Sequence, residues 1–184
     1  MVMTVVEIKN GKDLSPTELK EINYWRKKEF QAKTDWSKSV NQPHHQDIIF
    51  LLKDANKLQA FGRLRPITVY VNKKGYDIWG IATVVSISRG VGYGRMIMKE
   101  MKKYIKSHLK TSIGFCGKYN SPFYTKCGFS IIKEGNKNFI YVDKKGKKHP
   151  GNPDDVLYIK GNDDLIDQSL SNKSIQVLHY IPHW

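Results

Sequence analysis

The run Arg89-Gly90-Val91-Gly92-Tyr93-Gly94 has the composition that a diphosphate asks for. Three glycines at alternate positions allow a tight turn and leave backbone N–H groups uncovered. Behind them, residues 92–109 carry apolar side chains at 97, 101, 104, 105 and 109, with Lys99, Lys102, Lys103 and Lys106 largely off that stripe. This spacing predicts an amphipathic helix. Its positive N-terminal end, with Arg89, Arg95 and Lys99 as cations beside it, makes the segment a cradle for phosphate oxygens. A glycine-rich turn that binds nothing is the plainer alternative. Two other nucleotide signatures fit less well. No glycine follows Gly94 to close a G-x-G-x-x-G dinucleotide fingerprint, and Arg95-Met96 stands where a phosphate-loop NTPase needs Lys-Ser/Thr.

A second segment, Asn120-Ser121-Pro122-Phe123-Tyr124-Thr125-Lys126-Cys127-Gly128-Phe129, lies about thirty residues downstream. Ser121-Pro122 opens a short helix and Gly128 closes it. With this pair in place the sequence resembles the GNAT-superfamily N-acetyltransferases. Arg89-x-x-Gly92-x-Gly94 is similar to that family's acyl-CoA pyrophosphate motif, and Phe123-Tyr124-x-Lys126-x-Gly128-Phe129 to its tyrosine-bearing helix. The two together span residues 77–132, and either alone is a weak signal.

The resemblance implies an α+β fold, a single domain over residues 1–184, with a mixed, mostly antiparallel central sheet flanked by helices. Two strands splay apart in it to form an acetyl-CoA cleft. It implies that backbone groups of Val84, Val85 and Ile87 pair with the pantetheine. It gives Arg89, Gly90, Val91, Gly92, Tyr93, Gly94 and Arg95 to the diphosphate, places Asn120 near the pantetheine and Tyr124 near the thioester sulfur. Helix packing is the plainer role for Tyr124, and helix capping for Asn120.

Such a site lets a neutral amine attack a thioester directly, aided by a base, by donors for the carbonyl oxygen and by a proton for the leaving thiolate. Tyr124 supplies that proton. No carboxylate stands between Ile81 and Ser88, where many relatives place a glutamate, so the base is left among Asp77, His44, His45, Asp47, His179 and the carboxylate of Trp184. His44-His45-x-Asp47 also reads as a metal-ligand pattern, although a polar surface loop explains it more simply. A weaker likeness to aminoglycoside 2′-N-acetyltransferases rests on Thr34-Asp35-Trp36, on Pro153-Asp154-Asp155 and on a final Trp184. It makes Asp35 and Trp184 substrate-binding residues and lets the acidic 154–167 segment receive a polycationic amine. Turn-forming aspartates are the alternative.

The elements that must position these groups are legible in the periodicity. A strand is expected at 3–9. Ser15, Pro16 and Glu18 form a capping box that opens a helix running to about Phe30. Strands follow at 47–53, 58–72, 77–88 and 111–117, with further candidates at 129–134, 139–145 and 155–161 and a loop at 147–154.

The chain has 184 residues, 31 Lys and Arg against 17 Asp and Glu, and a net charge of +14. Residues 154–184 hold five acids and two bases, so the excess lies in the body before them. Anionic partners follow from that sign: acetyl-CoA first, and as the rival class a basic nucleic-acid-binding module without catalysis. Lys102, Lys103, Tyr104 and Lys106 interleave charge and aromatic in support of the rival, but no nucleic-acid motif accompanies them. Two cysteines, Cys116 and Cys127, are too few for a disulfide framework or a thiolate metal site. No apolar stretch is long enough to cross a bilayer, and a cytoplasmic protein is expected. Exposed strand edges leave room for a homodimer.

Overall fold

The computed structural model describes residues 4–38, 44–143, 145–170 and 175–178. In chain order the elements are β1 (Val5–Asn10), α1 (Pro16–Phe30), β2 (Ile48–Asp54), β3 (Lys57–Val71), β4 (Lys74–Ser86), α2 (Tyr93–Ser107), β5 (Ser112–Cys116), α3 (Ser121–Lys126), β6 (Ser130–Ile132), β7 (Phe139–Val142), β8 (Lys148–Pro150), β9 (Asp155–Ile159), α4 (Leu165–Leu170) and β10 (Ile175–Leu178). They group into two compact units, residues 1–65 with 83–101 and residues 66–82 with 102–184.

In the first unit β1 pairs antiparallel with β2, and β2 with β3. Ala55 and Asn56, both at positive φ (49° and 62°), turn the β2–β3 hairpin, the backbone that suits the right-handed twist of paired strands. Helix α1 covers this sheet through Ile22, which packs with Ile49, Leu51, Phe61 and Val85. Its start is the expected capping box: the Glu18 N–H donates to Ser15 Oγ at 3.2 Å and the Ser15 N–H to Glu18 Oε2 at 2.8 Å. Glu18 also accepts from Lys9 Nζ (2.7 Å) and Lys53 Nζ (2.8 Å), which ties the helix to β1 and β2.

Burial works against the Glu18 charge, but the bonds from Lys53, Lys9 and Ser15 outweigh it and bring the carboxyl down to about 2. A folded-state pKa below the unfolded value stabilises the fold above the unfolded pKa and is lost as pH falls toward the folded one. We therefore expect Glu18→Gln to lose on the order of 2 kcal/mol at pH 7. That deficit should shrink between pH 4.5 and pH 2, read by urea unfolding across that range. A deficit of the same size at pH 2.5 would contradict the assignment.

In the second unit β4 pairs parallel with β5, β5 and β6 both pair antiparallel with β9, and β10 joins β3 antiparallel and β7 parallel. The sheet is thus mixed and mostly antiparallel, as expected. Val69, Ile78, Ile113, Phe139, Val156, Leu165 and Ile175 form its core. Three elements depart from expectation. Strand β8 lies inside the stretch read as a loop, where Ile140, Tyr141 and Val142 supply a paired edge for Lys148–Pro150. Helix α4 has only six residues, too few to show a period, and starts where Asp163 Oδ1 accepts the Leu165 N–H at 3.0 Å. Strand β10 has four residues among polar neighbours. His179 and Trp184 lie outside the described residues.

Candidate active site

The glycine run sits where the periodicity put it, between β4 and α2, in the first unit. Gly90 and Gly92 adopt φ of +83° and +92°, so two of the three glycines are required by the backbone itself. Gly94 lies in the first turn of α2 and is not among the glycines at positive φ. A Cβ built on Gly90 or Gly92 meets nothing within 4 Å, so both face open space. The Gly92 carbonyl accepts the N–H groups of Arg95 (3.0 Å) and Met96 (3.1 Å). Among the described residues the N–H groups of Gly90, Val91, Gly92, Tyr93 and Gly94 have no acceptor. Five uncommitted donors at a fifteen-residue helix start form an anion cradle.

Around the cradle the side chains divide. Arg95 is exposed and has no ion pair among the described residues. Arg89, expected to be a mobile cation, is instead held by Glu29 of α1 at 2.5 Å. Its side chain is 76% exposed, and an exposed pair contributes at most about 1 kcal/mol. Arg89→Ala should therefore weaken acetyl-CoA binding by no more than about fivefold in a titration. A loss of fiftyfold would show that Arg89 leaves Glu29 for the ligand. Tyr93 donates its hydroxyl to Asp54 Oδ2 at 2.8 Å, which ties the first turn of α2 to the β2–β3 turn and leaves only its backbone N–H for an anion.

Strand β4 carries a feature the sequence did not show. Thr83 has φ of +51°, an outlier for a β-branched residue. The β4–β5 ladder runs only from Trp79↔Ser112 to Ile81↔Gly114, so the irregularity lies two residues beyond the last pair. Beyond it Val84 is half-buried and Val85 is buried in the first unit's core. At Ile87 the N–H donates to the Gln59 carbonyl at 2.8 Å, which leaves the carbonyl as the backbone group there for a ligand amide.

Tyr124 and its helix belong to the second unit. The end of α3 is a Schellman turn: the Phe129 N–H donates to the Tyr124 carbonyl (3.1 Å) and the Gly128 N–H to that of Thr125 (2.8 Å), with Gly128 at φ +82°. Buried Phe129 anchors it. The start of α3 is pinned by a buried chain. Ser121 Oγ donates to Asp155 Oδ2 at 2.5 Å, lies 3.4 Å from Cys116 Sγ, and Asp155 Oδ1 accepts the Glu134 N–H at 2.8 Å. Asp155 is therefore a buried positioning group and not a receiver of a polycation. In the same acidic segment Asp164 pairs with Lys74, Asp167 with Lys160, and Asp163 caps α4.

Tyr124 itself is half-buried and its hydroxyl has no hydrogen-bond partner among the described residues. Burial, with Cys116 and Cys127 beside it, pushes its pKa up to about 12. The phenol is fully protonated at neutral pH and can donate. Asn120, exposed, makes no side-chain cap bond, so helix capping does not account for it.

Of the proposed bases, Asp47 is fully buried in an ion pair with Arg63 at 2.7 Å and is committed to the fold. His44 is 2% exposed, stacked on Trp36, and burial with the charges of His45, Arg26 and Arg63 lowers its pKa to about 4. So weak a base takes little proton from an ammonium. His45 is exposed, and Asp77, also exposed, accepts from Thr68 Oγ1 at 2.7 Å. Among the described residues no group of three or more His, Cys, Asp or Glu side chains is placed to hold a metal ion. Asp35 is half-buried and accepts from Asn23 Nδ2, Ser37 N and Ser37 Oγ through one oxygen.

Comparison with known proteins bears on the family and the fold. Residues 13–129 match the acetyltransferase (GNAT) family. The chain belongs to that family. No curated protein matches the sequence. Solved GNAT structures share the fold at low identity. Escherichia coli ElaA is 14% identical, TM-score 0.59, with 86% of this chain and 99% of that one covered. The GNAT family N-acetyltransferase YhbS from Escherichia coli, in complex with CoA, is 14% identical, TM-score 0.62, covering 98% and 91%. Campylobacter jejuni PseH with acetyl coenzyme A is 19% identical, TM-score 0.52, covering 85% and 99%. The GNAT fold and acetyltransferase class expected from the two motifs are thereby borne out. Among the described residues no helix is long and apolar enough to cross a membrane.

Proposed function

We propose that this GNAT protein transfers an acetyl group from acetyl-CoA to a primary amine by direct attack. The observation that carries the reading is the row of uncommitted N–H donors from Gly90 to Gly94 at the start of α2. These amides and the free Arg95 hold the diphosphate, while backbone groups of Val84 and Val85 and the side chain of Asn120 serve the pantetheine. The amine nitrogen forms its bond to the thioester carbon and the C–S bond breaks. The Tyr124 hydroxyl donates to the departing sulfur, and the proton released by the amine passes to water.

Against the nucleic-acid rival, Tyr104 is half-buried and packs against Trp79 (5.3 Å) and His108 (4.2 Å), which leaves less of its ring for a base to stack on. Thiol release from acetyl-CoA across a panel of amines tests the proposal. Acetylation of at least one primary amine at a rate tenfold above the uncatalysed reaction is expected, and none across the panel would contradict it.

A further inference from the structure

A groove of about 630 Å³ runs along the outer face of α1 in the first unit. Leu14, Leu19 and the exposed Tyr24 give it an apolar and aromatic wall, and Trp36 with His44 forms its floor. Its charged lining consists of Lys20, Lys27 and Asp35. Lys20 and Lys27 stand two helical turns apart, about 10 Å, and neither has an ion-pair partner among the described residues. Lys9 and Lys53, which reach α1 from β1 and β2, are both paired with Glu18, and Lys28 of α1 lies over the Trp25 ring at 4.5 Å.

Beneath the floor the charge has the same sign. Arg26 lies 4.0 Å and Arg63 4.9 Å from the Trp36 ring, and Arg65 approaches Asp47 at 3.9 Å. Lys20 and Lys27 thus line the groove against Asp35, and the three arginines stand outside its lining with Asp47, which Arg63 already pairs. Buried polar atoms of both kinds also stand unpaired here: His44 Nδ1, in a ring 2% exposed that lines the groove, and behind it Arg63 Nε and the acceptor Asp47 Oδ1. Such atoms ask for a partner, and the field favours an anionic one.

We infer that this groove binds an amine that also carries an oxyanion, carboxylate or phosphate, on an aromatic or apolar body. Lys20 and Lys27 take the oxyanion, Asp35 faces the ammonium, and Tyr24 packs on the body. A polycation is the wrong sign for it. The inference narrows the acceptor class and rests on the acetyl-transfer reading only for what becomes of the bound amine.

Calorimetric titration of the full chain with four probes tests it without turnover: phenylalanine, its aminophosphonate analogue, phenethylamine and kanamycin. We expect phenylalanine or the aminophosphonate to bind at least tenfold tighter than phenethylamine, with kanamycin weakest. The stronger of the two oxyanion probes identifies the group the lysines prefer. In K20Q/K27Q that advantage should vanish, while K20R/K27R should keep most of it. Phenethylamine or kanamycin binding as tightly as the stronger oxyanion probe would overturn the inference. So would an absence of binding by both oxyanion probes up to about 10 mM, or an advantage unchanged in K20Q/K27Q. A parallel titration with acetyl-CoA reports separately on the proposed function, since the cradle shares no residue with the groove.

Discussion

Gly92→Val should remove acetyl-CoA binding, with a rise in Kd of at least a hundredfold, while the protein remains folded. Gly92 sits at φ +92°, where a β-branched residue is strained by about 1–2 kcal/mol. Relief of that strain swings the following N–H groups away from the cradle, and the branched side chain enters the space the anion needs. Because a Cβ there meets nothing within 4 Å, the fold has no packing reason to fail. Gly94→Val acts differently. It lies within α2, so its effect is steric and on helix propensity, and should be smaller. Calorimetry with acetyl-CoA, beside thermal unfolding to verify folding, measures both variants. A folded Gly92→Val that binds within threefold of the parent would mean that the cradle is elsewhere.

For Tyr124→Phe we expect kcat to fall about ten- to a hundredfold with the Kd for acetyl-CoA nearly unchanged. The ring and its contact with Phe123 survive, so only the hydroxyl is tested. With its pKa pushed up to about 12, Tyr124 is a weak acid beside a thiol whose usual value is near 8.5. It stabilises the leaving thiolate by hydrogen bonding more than by full proton transfer, which places the effect below or at the low end of the roughly 10²–10⁴-fold range of general acid catalysis. A raised phenol pKa also means that Tyr124 loses its proton only above the working range. The kcat profile between pH 6 and pH 10 should therefore keep its shape in Tyr124→Phe while dropping in height. Full kcat in the variant would reduce Tyr124 to a packing residue. A basic limb below pH 10 that disappears with the hydroxyl would contradict the raised pKa.

Much of this was legible in residue types. The capping box of α1, the alternating strands, the amphipathic stripe of α2 and the Pro–Gly limits of α3 each follow from local rules, and each element lies within a few residues of its expected place. Elements of three to six residues, such as β8, α4 and β10, have too little length to show a period and exist because of partners distant in sequence. At the site, the glycine run was visible because backbone geometry demands glycine at Gly90 and Gly92. The pairing of Arg89 with Glu29 across sixty residues was not, since nothing local marks an exposed ion pair. Asp155 shows the same limit. An aspartate beside Pro153 reads as a turn former, whereas its burial against Ser121 is a property of the folded second unit. The left-handed Thr83 has no signal in its side chain at all, because a β-branched residue is among the last that local rules place at positive φ.

The central claim is that this chain binds acetyl-CoA rather than nucleic acid. Thermal unfolding with each ligand tests it most directly. A ligand that binds only the folded protein, at a hundredfold excess over its Kd, adds about 2.7 kcal/mol. The account predicts a rise in Tm with acetyl-CoA that is lost in Gly92→Val, and no comparable rise with single- or double-stranded oligonucleotides at 150 mM salt. An unchanged Tm with millimolar acetyl-CoA, together with a salt-sensitive rise on adding oligonucleotide, would contradict it.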